Sequence, residues 1–182
     1  VPREKLTGLD RWIYHRLDET AAACRSALEG YRYNEGAQAL YEFFWNDFCD
    51  WYIEGTKLSF RSGDEAEKNR AATVILDVLE ESLRLLHPLL PFVTEEIYRM
   101  LPNRRGDLIV QRYPEWSADR SDPELAGEFE SVMEFVRLVR TLRSEFGIGP
   151  EKSVRTYIRF EPGSAARGNF GHWAPTAALL VN

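Results

Sequence analysis

Apolar side chains recur at the spacing of an α-helix along most of this chain. Their recurrence at i, i+3, i+4 and i+7 predicts a first helix from about Leu9 to Glu29, ended by Gly30. The run from Tyr31 to Arg61 contains no proline and predicts one long helix. Because its apolar arc is wide, several neighbours must cover it. We therefore expect the long helix to be the central member of a helix bundle.

The long helix is expected to divide its side chains between two faces, at about 100° per residue. The apolar face is predicted to hold Leu40, Tyr41, Phe44, Trp45, Phe48, Trp51, Tyr52 and Leu58. Two apolar residues, Phe43 and Ile53, fall instead within the opposite, polar stripe. We expect these two residues to face a partner or another part of a larger protein.

Three further helices are predicted from about Ala66 to His87, Pro91 to Leu101 and Pro123 to Phe146. Proline suits the first turn of a helix, where the missing N–H costs nothing. The segment Asp107 to Tyr113 is expected to be extended, and Ser153 to Phe160 alternates as a strand does. Since a lone strand is not stable, we expect these last two segments to pair.

The chain of 182 residues, 44% of them apolar, can fill one domain with a small appendage. We predict an all-α fold, an antiparallel helix bundle with a small C-terminal α/β extension. The predicted parts are a linker at 1–8, the bundle at 9–104, the extension at 105–160 and an irregular tail at 161–182. No apolar run approaches the roughly 20 residues that span a bilayer, so no membrane partner is expected. Cys24 and Cys49 both occupy apolar helical positions, which favours reduced thiols in a cytoplasmic protein over a disulfide.

The formal net charge of −6 argues against a freestanding nucleic-acid binder. The charge is unevenly distributed, since residues 63–130 carry −7 whereas residues 131–182 carry +3. A polyanion would therefore be attracted to the C-terminal segment.

The residues that carry most catalytic chemistry are absent or scattered. The chain has no glycine-rich phosphate loop and no cysteine pairs at zinc spacing. Asp47 and Asp50 lie three residues apart, but without a third ligand a solvated stripe is favoured over a metal site. His87 precedes a proline at a helix end, where a structural cap is favoured over catalysis. We predict no catalytic residue, no metal site and no cofactor in this chain.

Basic residues near the C-terminus are the better candidates for binding. Arg137, Arg140 and Arg143 form one stripe at i, i+3 and i+6, beside Lys152 and Arg155. They are either an ordinary solvated face with local salt bridges or phosphate contacts, and charge placement alone leaves both open. Lys57 and Arg61 are weaker candidates. The aromatic residues of the long helix could stack on bases, but their spacing favours core packing.

Four stretches together resemble one known family. They are LDRWIYHRLDET at 9–20, YRYNEGAQALYEFFWNDFCDWYIEGTK at 31–57, LLHPLLPFVTEEIYRMLP at 85–102 and RLVRTLRSEFGIGP at 137–150. In this order they resemble the anticodon-binding helical domain of class I aminoacyl-tRNA synthetases. The stretch FFWNDFCDWYIE at 43–54 is similar to the valyl-tRNA synthetases in particular.

The resemblance implies a domain that holds the anticodon stem-loop of tRNA(Val), with a catalytic domain elsewhere in the same polypeptide. Enzymes of this family use ATP and Mg²⁺ to attach the amino acid, through HIGH-like and KMSKS-like signatures that this chain lacks. We therefore expect no amino-acid activation by this chain alone. Two alternatives stay open, the same domain of an isoleucyl-tRNA synthetase and a helical protein–protein interaction module without an RNA role.

Overall fold

The computed structural model describes residues 1–102, 105–149, 151–160 and 166–181, and these residues form six helices and no strand. The helices are α1 (Gly8–Glu29), α2 (residues 33–61), α3 (Glu65–Leu86), α4 (Pro91–Met100), α5 (Pro123–Glu145) and α6 (Ala166–Leu180). Single turns of 3-10 helix lie at Arg3–Lys5, Leu108–Val110 and Ala118–Arg120. The chain divides into two compact units, Val1–Asp122 and Pro123–Asn182. The predicted all-α helix bundle is confirmed, while the predicted domain boundaries stay predictions.

Helices α1 and α2 of the first unit run antiparallel, as the sequence predicts. The Tyr52 hydroxyl, late in α2, donates to Asp10 Oδ1 near the start of α1 at 2.7 Å. At the other end, the Cys24 thiol lies 3.6 Å from the carbonyl oxygen of Gly36, early in α2. The start of α1 thus contacts the later part of α2 and the end of α1 contacts its beginning, so the two helices run in opposite directions.

Asp10 joins three helices at a point that water does not reach. Its backbone N–H and carboxylate form a reciprocal capping box with Thr7, which starts α1. The same carboxylate accepts hydrogen bonds from Tyr52 in α2 and from Arg70 in α3. Since Asp10 is 1% exposed, this charge is stable only because every oxygen has partners.

The central part of α2, Phe43–Ile53, is π-helical, with α-helical turns on either side. Hydrogen bonds from i to i+5 turn the chain less per residue than an α-helix does, so side chains fall behind the 100° progression. Phe43 is buried three residues after the buried Leu40, whereas Trp45 is 57% exposed and Tyr41 62% exposed. The predicted exposure of Phe43 and the predicted burial of Trp45 are both wrong, because the buried face of α2 follows Leu40, Phe43, Asp47 and Trp51, and Trp45 lies on the other side of the helix.

The core of the first unit is built from the inner faces of these helices. Its fully buried large side chains include Trp12, Ile13, Leu17, Phe43, Phe48, Tyr52, Val74, Leu83, Leu85 and Tyr98. Leu108 packs with Leu83 and Tyr98, and this contact holds the chain after α4 against the bundle. The segment predicted to be extended here has a 3-10 turn in its middle.

Helices α5 and α6 form the second unit. Along α6, Trp173, Ala177 and Leu180 are buried at i, i+4 and i+7, and the Trp173 ring lies 4.7 Å from that of Phe129 in α5. The glycines and Pro175 of the tail indicated irregular structure, but burial of this apolar stripe outweighs their low helix propensity. The irregular tail predicted at 161–182 is thus corrected to a helix over most of its length, with 161–165 and 182 lying outside the described residues.

The predicted strand at Ser153 to Phe160 is not formed. In the described part of the chain these residues have no strand partner, and they pack beside α5 and α6. The alternating apolar residues of this segment lie beside helices, as the lining of two clefts, and do not pack in a sheet. The α/β character predicted for the C-terminal extension is therefore absent from the described residues.

Candidate nucleic-acid interface

The arginine stripe of α5 divides into exposed and buried members. Arg137 and Arg140 are exposed, whereas Arg143 is only 6% exposed. Arg140 Nε donates to the carbonyl oxygen of Leu180 at 2.8 Å. This places a cation at the C-terminal end of α6, where the helix dipole stabilises positive charge. The RNA contact that the sequence predicts for this stripe stays a prediction.

Arg143 anchors the loop that follows its own helix. One terminal nitrogen donates to the carbonyl oxygens of Gly149 at 2.6 Å and Lys152 at 3.0 Å. Its guanidinium is thus engaged with the backbone at a place that solvent barely reaches, and it fixes where the next segment begins. The side chain of Lys152 itself is exposed.

The two candidates in α2 lie in the first unit. Lys57 is exposed and forms an ion pair with Glu54 at 2.5 Å, an i, i+3 contact within the helix. Arg61 is exposed in the last turn of α2. Surface pairs of this kind contribute little to stability, so Lys57 could exchange Glu54 for a phosphate at small cost.

Most other basic side chains of the first unit are paired within the unit. Arg120 bridges Asp18 at 3.3 Å and Glu81 at 2.7 Å, and its guanidinium carbon lies 4.8 Å from the centre of the Tyr14 ring. Burial, and then the Asp77 carboxylate that accepts its hydrogen bond, raise the pKa of Tyr14 well above its usual range. These contacts hold the loop before α5 on the bundle.

Asp47 belongs to the same set of internal ion pairs. It is buried and accepts a hydrogen bond from Arg16 Nε at 2.9 Å. Its predicted place in a solvated stripe is wrong, because Asp47 lies on the same face of α2 as the buried residues Phe43 and Trp51, four residues to either side. Among the described residues, no group of three His, Cys, Asp or Glu side chains is placed to hold a metal ion.

The histidine and cysteine side chains have structural surroundings. His87 Nδ1 lies 2.8 Å from the hydroxyl of Thr94, so the ring links the end of α3 to the first turn of α4. Neither Cys24 nor Cys49 is in a disulfide. Burial raises the pKa of the Cys24 thiol to about 11, which keeps it protonated and unreactive at neutral pH.

An apolar groove of about 440 Å³ lies between α2, α3 and α4. The rings of Tyr41 and Trp45 line one side, with centres 6.4 Å apart and planes 3° from parallel. Val93 and Ile97 line the other side. Since the hydroxyl of Thr94 is already bonded to the backbone, the groove offers few polar atoms to the edge of a base.

The segment 151–160 presents a basic surface, of which the sequence singled out only Lys152 as a candidate and Arg155 as a neighbour of the arginine stripe. Arg155, Tyr157 and Arg159 are exposed, and Tyr157 is 82% exposed. The available signal was the alternation in RTYIRF, which we assigned to a paired strand. Without a strand partner, one side of the segment is left open to solvent.

No helix in the described part of the chain has both the length and the apolar character needed to cross a bilayer.

The comparisons with known proteins agree with this fold. Residues 10–158 match the model of a family described as the anticodon-binding domain of tRNA ligase. The chain is 53% identical over 175 residues to the valine–tRNA ligase of Treponema denticola, covering 90% of this chain and 19% of that protein. It is 50% identical over 179 residues to the valine–tRNA ligase of Treponema pallidum, covering 92% of this chain and 18% of that protein. It is 46% identical over 155 residues to the valine–tRNA ligase of Geobacter sulfurreducens, covering 84% of this chain and 18% of that protein.

The chain spans about a fifth of the length of these relatives. Because the family match covers most of the 182 residues and the helix bundle is present, the chain belongs to the family of anticodon-binding domains of tRNA ligases.

Proposed function

We propose that this chain is the anticodon-binding domain of a valine–tRNA ligase and that it holds the anticodon stem-loop of tRNA(Val). The observation that carries the proposal is the family match over residues 10–158, together with 46–53% identity to valine–tRNA ligases. The same relatives favour a valine enzyme over the isoleucine alternative. The free thiols of Cys24 and Cys49 are consistent with work in the cytoplasm.

Binding by an acidic domain requires a local basic face. Arg137, Arg140 and Lys152 are exposed in the second unit and would contact phosphates of the stem, with Lys57 and Arg61 as further contacts in the first unit. Arg143 would support them by fixing the loop from Gly149 to Lys152. Unpaired anticodon bases would be read by stacking and by hydrogen bonds to their edges.

In the proposed enzyme a separate catalytic part of the polypeptide would attach valine to the distant acceptor end of the tRNA. ATP and Mg²⁺ would be bound there, and the described residues of this chain contain no cluster suited to the metal ion. The role of this chain would be to position the tRNA.

The proposal is tested by titrating this chain with the tRNA(Val) anticodon stem-loop at two salt concentrations, beside an isoleucine stem-loop. We expect binding that weakens with salt and favours the valine loop. Arg137→Gln should weaken binding to both loops equally and reduce the salt slope by about one, as loss of a phosphate contact does. Binding of neither loop would contradict the proposal, and salt-insensitive binding of protein ligands would support the interaction module instead.

A further inference from the structure

Both ends of the segment 151–160 are held on the helices of the second unit. Arg143 binds the carbonyl oxygen of Lys152 at the start. At the other end the Phe160 ring packs against Phe170 of α6, with ring centres 5.9 Å apart. The position of the segment is therefore set by contacts at its two ends.

From Val154 to Phe160 the even-numbered residues of the segment line clefts in the second unit, although Val154, Thr156 and Ile158 also keep exposed surface. Val154 and Thr156 line a cleft beside α6, and Ile158 and Phe160 line a cleft beside α5. The odd-numbered residues between them, Arg155, Tyr157 and Arg159, line neither cleft and are exposed. Alternation with a period of two is the spacing of an extended chain, so neighbours on one side are about 7 Å apart.

The exposed side carries two arginines, Arg155 and Arg159. Within the described residues, neither Arg155 nor Arg159 makes a hydrogen bond or ion pair with another side chain. The segment contains three basic residues and one acidic residue, Glu151. Among the described residues, no ion pair has to be broken when these two arginines bind an anion.

Tyr157 lies between the two arginines as a largely exposed aromatic ring. At 82% exposure it contributes little buried area to the fold. An aromatic ring flanked by cations on an open surface is the arrangement by which proteins bind unpaired nucleotides, since bases stack on the ring and phosphates pair with the cations. Guanidinium groups suit phosphate because their N–H groups match two oxygens at once.

We propose that Arg155, Tyr157 and Arg159 form an RNA-binding surface, the outer surface of the segment, which takes unpaired nucleotides of the anticodon loop. This proposal rests on the proposed function and deepens it. Tyr157 stacks on one base, and Arg155 and Arg159 bind the phosphates on either side. Arg143 is a positioning residue that fixes the start of the segment.

The test compares binding of single variants to the tRNA(Val) stem-loop and to an unstructured RNA of the loop sequence. Tyr157→Ala should weaken binding of both RNAs roughly tenfold, and Tyr157→Phe should retain it, because the ring stacks without its hydroxyl. Arg155→Gln and Arg159→Gln should each lower the salt slope by close to one. Arg112→Gln is the matched control, since Arg112 is an exposed arginine in the other unit.

The outcomes separate this surface from the proposed function. If the unchanged chain binds the stem-loop and Tyr157→Ala binds equally well, the surface is refuted and the proposed function stands. If the chain binds only the unstructured RNA, and Tyr157→Ala weakens that binding, the surface stands and the proposed function fails. If neither RNA binds, both fail. Circular dichroism of each variant should match the unchanged chain, because all three side chains point away from the helices.

Discussion

Replacing Asp10 by alanine should destabilise the first unit more than any surface substitution. The change removes the acceptor for the Thr7 backbone N–H at 2.8 Å and for the Tyr52 hydroxyl at 2.7 Å, and it leaves Arg70 without its carboxylate. The side chain of Arg70 is only 12% exposed, so water cannot fully replace the lost partner. Breaking a buried pair in this way costs about 3–5 kcal/mol.

That loss is a large part of a domain's stability of roughly 5–15 kcal/mol. A matched control is Asp64→Ala, because Asp64 caps α3 at an exposed position through one hydrogen bond of 2.8 Å to the N–H of Ala66. Loss of such a cap costs only about 1 kcal/mol. The contrast between the two aspartates therefore isolates the buried carboxylate from capping alone.

Urea unfolding followed by tryptophan fluorescence measures both variants. Four of the five tryptophans lie in the first unit, so fluorescence reports mainly on it. The double variant with Arg70→Met should lose less than the sum of the two single changes, since the stranded cation is removed as well. If Asp10→Ala costs no more than Asp64→Ala, the assignment of Asp10 as the joint between three helices is refuted.

Two further outcomes follow from buried side chains. The folded state holds the Cys24 thiol protonated to about pH 11 because it is buried, while the unfolded chain ionises near its ordinary pKa of about 8.5. The contribution of the protonated thiol to stability should therefore be fully present below about pH 8.5 and be lost as the pH rises to about 11. Urea midpoints measured across this range should fall for the unchanged chain, and they should fall less for Cys24→Ala. Trp173→Ala should lower the free energy of unfolding of the second unit by about 3–5 kcal/mol, because the ring is buried against Phe129. Trp116→Ala should change the stability of the first unit little, because Trp116 is exposed, and calorimetric unfolding of both variants measures the difference.

The helical periodicity of the sequence was sufficient for five of the helices, because burial on one face imposes that period directly. It failed in part of α2, where aromatic residues lie on both sides of the helix. The buried face there follows Leu40, Phe43, Asp47 and Trp51, whereas the aromatic rings of Tyr41 and Trp45 lie outside it. The helix in the tail was missed for another reason, since Trp173 becomes a core residue only when Phe129 is beside it.

The candidate binding residues could be predicted only as charges. Spacing placed Arg137, Arg140 and Arg143 on one stripe, but it could not show that Arg143 is turned inward to two carbonyl oxygens. Whether an arginine is available to a ligand depends on which acceptors the folded chain brings near it. Sequence carries that information only through the tertiary structure.

This availability explains how an acidic domain can bind a polyanion. In the first unit, Arg16, Arg70 and Arg120 form ion pairs with buried or partly buried carboxylates, so they add little to the external field. Arg155 and Arg159 have no such partners among the described residues, and both are exposed to solvent. The net charge of −6 then matters less than the sign of the surface that meets the RNA, because screening limits each charge to about 8–10 Å at physiological salt. An RNA loop held against Arg155 and Arg159 lies within that range of them, which is why removing either one should change the salt slope.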